Sequence, residues 1–102
     1  MRVSVQVLYP TDGDTTFDHE YYAKTHMALV DKHMGAHIAQ ATITKGVAGG
    51  ADSPAPYHAV ATMVFADAAS RDAALGVAGP VLSDIPNFTN ATPVMLMGDV
   101  VE

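Results

Sequence analysis

The chain has 102 residues, 49% hydrophobic and 16% charged, with five Lys plus Arg against eleven Asp plus Glu and a formal net charge of -6. So acidic a chain offers no basic stripe for releasing phosphate counterions, which argues against nucleic acid, and its lack of cysteine excludes disulfides, thiolate catalysis and cysteine-ligated zinc. The length fits one domain, residues 1–102, with a small core, and so apolar a composition implies that one face is buried in an oligomer.

Residues 2–9, RVSVQVLY, put Val3, Val5, Val7 and Tyr9 on one face and Arg2, Ser4, Gln6 and Leu8 on the other, the period of a strand. This start has no long apolar run and no small-residue cleavage site, so no secretory signal or membrane span is expected and the expected location is cytoplasmic. After Pro10, PTDGDTT supplies turn chemistry, and Asp18 or Thr16 is placed to cap a helix running from about Asp18 to Met34, with Gly35 as its stop. A second strand spans about 38–47 and ends in the loop GVAGGADSPAP; a third spans about 58–65. A second helix, DAASRDAALGVAG, is capped by Asp67 and closed by Gly76 or Gly79. Residues 80–93 read mostly as loop with one further helical turn, and a last strand covers about 94–101.

The order β-α-β-β-α-β specifies a ferredoxin-like α+β fold, with both helices on one face of a four-stranded antiparallel sheet. The third and fourth strands are apolar on both faces, so the bare side of the sheet needs a second copy of the chain, which gives a homodimer of the dimeric α+β barrel kind.

Four of the five histidines, His19, His26, His33 and His37, fall in or beside the first helix. At 100° per residue, Glu20, Lys24 and Asp31 share one side, and Tyr22, His26, Leu29 and His33 share the other. His26 and His33 therefore face inward, where an imidazole needs a hydrogen-bond partner and is suited to acid/base work. The competing reading, a histidine satisfied within a small core, stays open. A metal site is not expected: no carboxylate shares the stripe, Gly35 ends the helix before His37, and His19 and His37 read as solvated. Tyr22, one turn before His26, either orients a ligand oxygen or fills the core. The methionines read as packing residues, Gly49-Gly50 lacks the Lys and helix of a phosphate loop, and Ser53 lacks a nucleophile elbow.

The segments VLYP, FDHEYYAKTHMALV, GVAGG with SPAPYHA, and DIPNFTN followed by TPV together resemble the EthD family, named for ethyl tert-butyl ether degradation, over nearly the whole chain. The resemblance implies the dimeric α+β barrel fold, shared with muconolactone isomerases and cofactor-free monooxygenases, and an association with oxidative breakdown of small organic molecules. It carries over at Tyr22 and His26, and at Asp84, Pro86, Asn87, Phe88 and Thr89. Three positions depart from the family pattern. Ala28 replaces the usual proline and implies a smoother helix, while Thr62 replaces a frequent histidine and Leu96 a glutamine, which thins the polar lining of the pocket.

The function expected is that of a small enzyme that takes an apolar, oxygen-bearing organic molecule between the helices and the sheet. His26 is its general acid/base, Tyr22 orients a substrate oxygen and Thr62 adds a weaker hydrogen bond. Tyr9 and Phe88 close the apolar wall, and His33 and Leu96 complete the lining. The reaction expected is proton transfer, as in isomerisation or dehydration, or a cofactor-independent oxidation; no nicotinamide, flavin or haem motif is present, so no cofactor is expected. The rival readings are a non-catalytic module that holds an intermediate for a partner oxygenase, and a purely structural dimer; haem binding through one histidine is a minor third.

Overall fold

The computed structural model describes residues 1–102. Strands β1 (Val3–Pro10), β2 (Gln40–Lys45), β3 (Tyr57–Phe65) and β4 (Val94–Asp99) form one antiparallel sheet in the order β2-β3-β1-β4. The first helix, α1, opens at His19–Tyr21, widens into a π-helical turn at Tyr22–His26 and continues as regular α-helix over Met27–Met34. Helices α2 (Ala68–Gly76) and α3 (Gly79–Asp84) follow β3, and α3 tightens into a 3-10 turn at Ile85–Asn87. The fold is the expected ferredoxin-like α+β arrangement, with more helix in residues 80–93 than the loop-like composition implied. No helix is long and apolar enough to cross a membrane.

Local chemistry explains the element ends. The Asp18 carboxylate accepts the Tyr21 N–H at 3.0 Å and that of Asp67 accepts the Ser70 N–H at 2.8 Å, so both main helices begin with the side-chain caps the sequence suggested. Gly35 does not stop α1 through a left-handed turn: its φ is -56°, and the chain simply tightens into a 3-10 turn over Gly35–His37. Gly46 is needed at the end of β2, because a Cβ there would meet the Tyr57 carbonyl oxygen of the neighbouring strand.

The π-helical turn overturns the expectation of a smooth helix and changes which residues face inward. It closes with the Met27 N–H donating to the Tyr22 carbonyl, five residues back, which takes one more residue than an α-turn. Every later position is shifted by one. Tyr22 and His26 stay on the inner stripe, but the stripe then continues through Val30 and Met34, which are buried, while Leu29 and His33 are half-buried at its margin.

Val3, Val5, Val7 and Tyr9 of β1 point towards the helices as their alternation predicts, and Phe65, Met63, Ala61 and Ala59 of β3 share that side. Two buried clusters result, one built around Val5, Phe65 and Met34 and one of Tyr9, Tyr22, Ala59 and Phe88. On the far side of the sheet, Gln6, Thr62, Thr42 and Leu96 lie directly opposite one another across the strands, and the Gln6 Nε2 donates to the Thr62 Oγ1 at 3.1 Å. That side has no cover in a single chain.

Candidate active site

Between the two buried clusters, where the helices lift from the sheet, lies a cavity of about 190 Å³. Its floor comes from the helix side of the sheet at Val7, Ala61, Met63 and Met95, and its walls come from all three helices. Apart from the His26 ring and the hydroxyls of Tyr9 and Tyr22, the lining side chains are hydrocarbon or thioether. Leu82 and Met95 line it while remaining about half exposed, so the mouth opens between α3 and β4.

His26 is only 3% exposed and is held by a carboxylate distant in sequence: its Nδ1 lies 3.0 Å from the Asp84 Oδ2. Asp84 also accepts the Tyr21 hydroxyl at 2.6 Å and the Asn87 amide at 3.0 Å. Burial would raise the Asp84 pKa, but the hydrogen bonds from Tyr21, Asn87 and His26 outweigh it and hold the carboxyl below its ordinary value. An ionised carboxylate can only accept, so Nδ1 must carry the hydrogen, and the lone pair of neutral His26 is on Nε2. No fully occluded side-chain nitrogen or oxygen in the chain lacks a hydrogen bond, and Nε2 has no partner within the chain, so it opens on the cavity.

The chain brings Asp84 to His26 by stitching two segments together. The Asp18 N–H donates to the Phe88 carbonyl at 2.8 Å, the Thr89 hydroxyl donates to the Thr16 carbonyl at 2.6 Å, and the Thr16 N–H donates to the Asn90 side chain at 2.8 Å. These bonds fix the start of α1 against the segment that follows α3, about one turn beyond Asp84 and two turns before His26. Aromatic packing sets the ring planes. Tyr22 stacks on His26 with centroids 5.3 Å apart at 16°, and Phe88 is tilted against His26 at 4.5 Å. Burial pushes the Tyr9 phenol up to about 12, with the Tyr22 hydroxyl partly offsetting it, and burial together with Tyr9 raises Tyr22 still further, so both remain neutral hydrogen-bond donors.

Of the residues singled out from the sequence, His26, Tyr22 and Tyr9 meet at the cavity. Phe88 is buried behind His26 and Tyr22 and supports them without lining the space. His33 lies outside the cavity because of the one-residue shift in α1. Thr62 and Leu96 are on the opposite face of the sheet: their strand neighbours Ala61, Met63 and Met95 line the cavity, and a strand alternates its sides residue by residue. His19 and His37 are half-buried rather than solvated, and His19 packs 4.6 Å from the Phe17 ring. No three His, Asp or Glu side chains are gathered to hold a metal ion.

The sequence reading missed the roles of Asp84, Tyr21 and Asn87. The signal available was a lone carboxylate three residues before an asparagine in DIPN, on a turn of helix in an otherwise uncharged stretch from Ala73 to Val94.

Comparison with known proteins agrees with this architecture. The EthD domain family model matches residues 12–91. An EthD-like protein from Ralstonia eutropha JMP134 is 34% identical, with a TM-score of 0.89 over 99% of this chain and 93% of its own. An ethyl tert-butyl ether degradation (EthD) family protein from Bacillus halodurans C-125, 19% identical, has a TM-score of 0.77 over 99% of this chain and 100% of its own, and shares the fold. The cofactor-independent oxygenase SnoaB from Streptomyces nogalater, in a point-mutant form, shares the fold at 12% identity, with a TM-score of 0.67 over 99% of this chain and 94% of its own. No sequence among the curated proteins matches this chain. With the family model spanning residues 12–91 and a relative of known structure 34% identical over nearly its whole length, the chain belongs to the EthD family.

Proposed function

We propose that the protein is an enzyme acting on a small, largely apolar, oxygen-bearing molecule, with His26 as general acid/base and Asp84 as the group that orients it. The observation that carries this reading is a buried His–Asp pair whose free imidazole nitrogen opens on an apolar cavity. Asp84 holds the hydrogen on Nδ1 and balances the imidazolium that forms when Nε2 takes a proton. The hydrocarbon walls exclude competing water, which strengthens each polar contact inside. Tyr22 and Tyr9 offer hydroxyls to an oxygen that gains negative charge. Such a site suits isomerisation, dehydration or oxidation begun by deprotonation. The kinship with an EthD-like protein and the fold shared with a cofactor-independent oxygenase support this range of chemistry without choosing within it.

The apolar lining also favours a second reading, a carrier that holds a pathway intermediate for a partner oxygenase. Native mass spectrometry of protein purified from its host identifies the ligand, and His26→Ala then separates the two. For an enzyme, turnover of that ligand falls about 10²- to 10⁴-fold while binding persists. Unchanged turnover or unchanged pathway flux removes His26 from any chemical role.

For the assembly, the outer face of the sheet suits a second copy. Val94 and Leu96 are 51% and 58% exposed there, beside half-buried Leu8, Val60 and Val64, an apolar surface that a lone chain leaves in water.

A further inference from the structure

Resting on the reading of the cavity as a ligand site with His26 as its base, we propose that the ligand class is a neutral, single-ring phenol, or an enol of the same size, bound with its hydroxyl on the His26 Nε2. Size gives the first limit. The space is about 190 Å³, modestly larger than the engineered apolar cavity of about 150 Å³ that holds benzene. One ring with a few substituents fills a space of that size.

Charge gives the second limit. No Lys or Arg lines the cavity, and the ionised Asp84 stands directly behind His26. A carboxylate or phosphate ligand would enter an apolar space with a fixed negative charge at its back and no cation to meet it. The ligand must arrive neutral.

The third limit is the proton. With Nδ1–H committed to Asp84, neutral His26 presents only an acceptor, and an acceptor selects a ligand with a hydrogen to give. In water a phenol ionises about 3.5 pH units above imidazole, a gap that hydrogen bonds donated to the phenolate oxygen narrow. In the step, the ligand O–H bond breaks, the proton passes to Nε2, and the electron pair remains on oxygen. This leaves a phenolate facing an imidazolium that Asp84 balances. Tyr9 and Tyr22 keep their own protons, because burial raises both, and are available as donors to the new oxyanion. An ether has no such proton and meets an acceptor with nothing to offer.

The walls add a fourth consideration. Met27, Met34, Met63 and Met95 surround the space, and thioether sulfur makes favourable contacts with aromatic rings while adapting to their shape.

The test is fluorine NMR titration of the intact protein at pH 7 with 4-fluorophenol, fluorobenzene, 4-fluoroanisole and 4-fluorobenzoate. The expected result is that 4-fluorophenol binds about tenfold more tightly than fluorobenzene and 4-fluoroanisole, the worth of one good hydrogen bond, and that 4-fluorobenzoate does not compete. His26→Gln and Tyr22→Phe each bring 4-fluorophenol down towards fluorobenzene. If His26→Gln fails to fold, Tyr22→Phe and the ranking on the unaltered protein still decide. Equal or tighter binding of 4-fluoroanisole or fluorobenzene, or preference for 4-fluorobenzoate, overturns the phenol class and leaves a ligand cavity standing. Binding of none of the four overturns the phenol class together with the reading of the cavity as a ligand site.

Discussion

The helix side of the sheet and its open side are made by the same strands, yet they differ in almost every physical respect. On the helix side, β1 and β3 contribute fully buried Val5 and Phe65 to a core, and Val7 and Ala61 to the floor of a cavity. One residue along, on the open side, Gln6 and Thr62 bond only to each other and Leu96 faces outward. The contrast teaches that a candidate site in a thin α+β domain is a property of one face. The cavity forms where three helices cover the sheet without filling the space, and the other face leaves Val94 and Leu96 exposed beside the Gln6–Thr62 hydrogen bond.

The largest effect expected from disturbing the helix side is that of Phe88→Ala, which removes the ring behind His26 and Tyr22 and should cost about 3–5 kcal/mol in chemical denaturation. A cost under about 1 kcal/mol would show that the aromatic cluster does not hold the cavity wall. On the open side, Leu96→Lys should weaken self-association by about tenfold or more in sedimentation velocity, because a charge would be buried between apposed faces. A chain that is monomeric before the change would remove the second copy from that face.

Stability against pH separates the two sides further, since the perturbed buried groups lie on the helix side. Asp84 is held below its ordinary value, so its contribution is complete above the unfolded carboxyl range near pH 4 and is lost as pH falls through the folded value. Asp84→Asn should flatten that acid limb. Tyr9 behaves in the opposite sense: its folded value is about 12, so its contribution is present below the unfolded value and is lost as pH rises from about 10 towards 12. Tyr9→Phe should flatten the alkaline limb. Both limbs are read by circular dichroism across pH, and limbs unchanged by either variant would place the linkage elsewhere. The smallest effect belongs to Thr62→Val, which should stay within about 0.5 kcal/mol of the parent and leave ligand binding unchanged. Loss of binding there would mean that the open face takes part in the site.

Much of the architecture was legible from periodicity. Alternating Val3, Val5 and Val7 identified a strand and its buried side, Asp18 and Asp67 marked helix starts, and the element order specified the fold. His26, Tyr22 and Tyr9 were also legible, through inward spacing and family resemblance. His33 was not, because the π-helical turn inserts one residue and no propensity rule marks it. Thr62 and Leu96 were assigned to the wrong side because a resemblance identifies positions without stating which face of a strand they occupy.

The local chain therefore determined by itself where the strands and the two main helices fall and that His26 turns inward, since those depend on neighbours three or four residues away. Only the tertiary structure decided that Asp84, 58 residues on from His26, accepts its Nδ1–H, and that Tyr21 and Asn87 complete the shell. A hydrogen bond acts over about 3 Å and carries no trace in sequence spacing, so such a partner becomes visible only when hydrogen bonds between distant segments bring the two ends together.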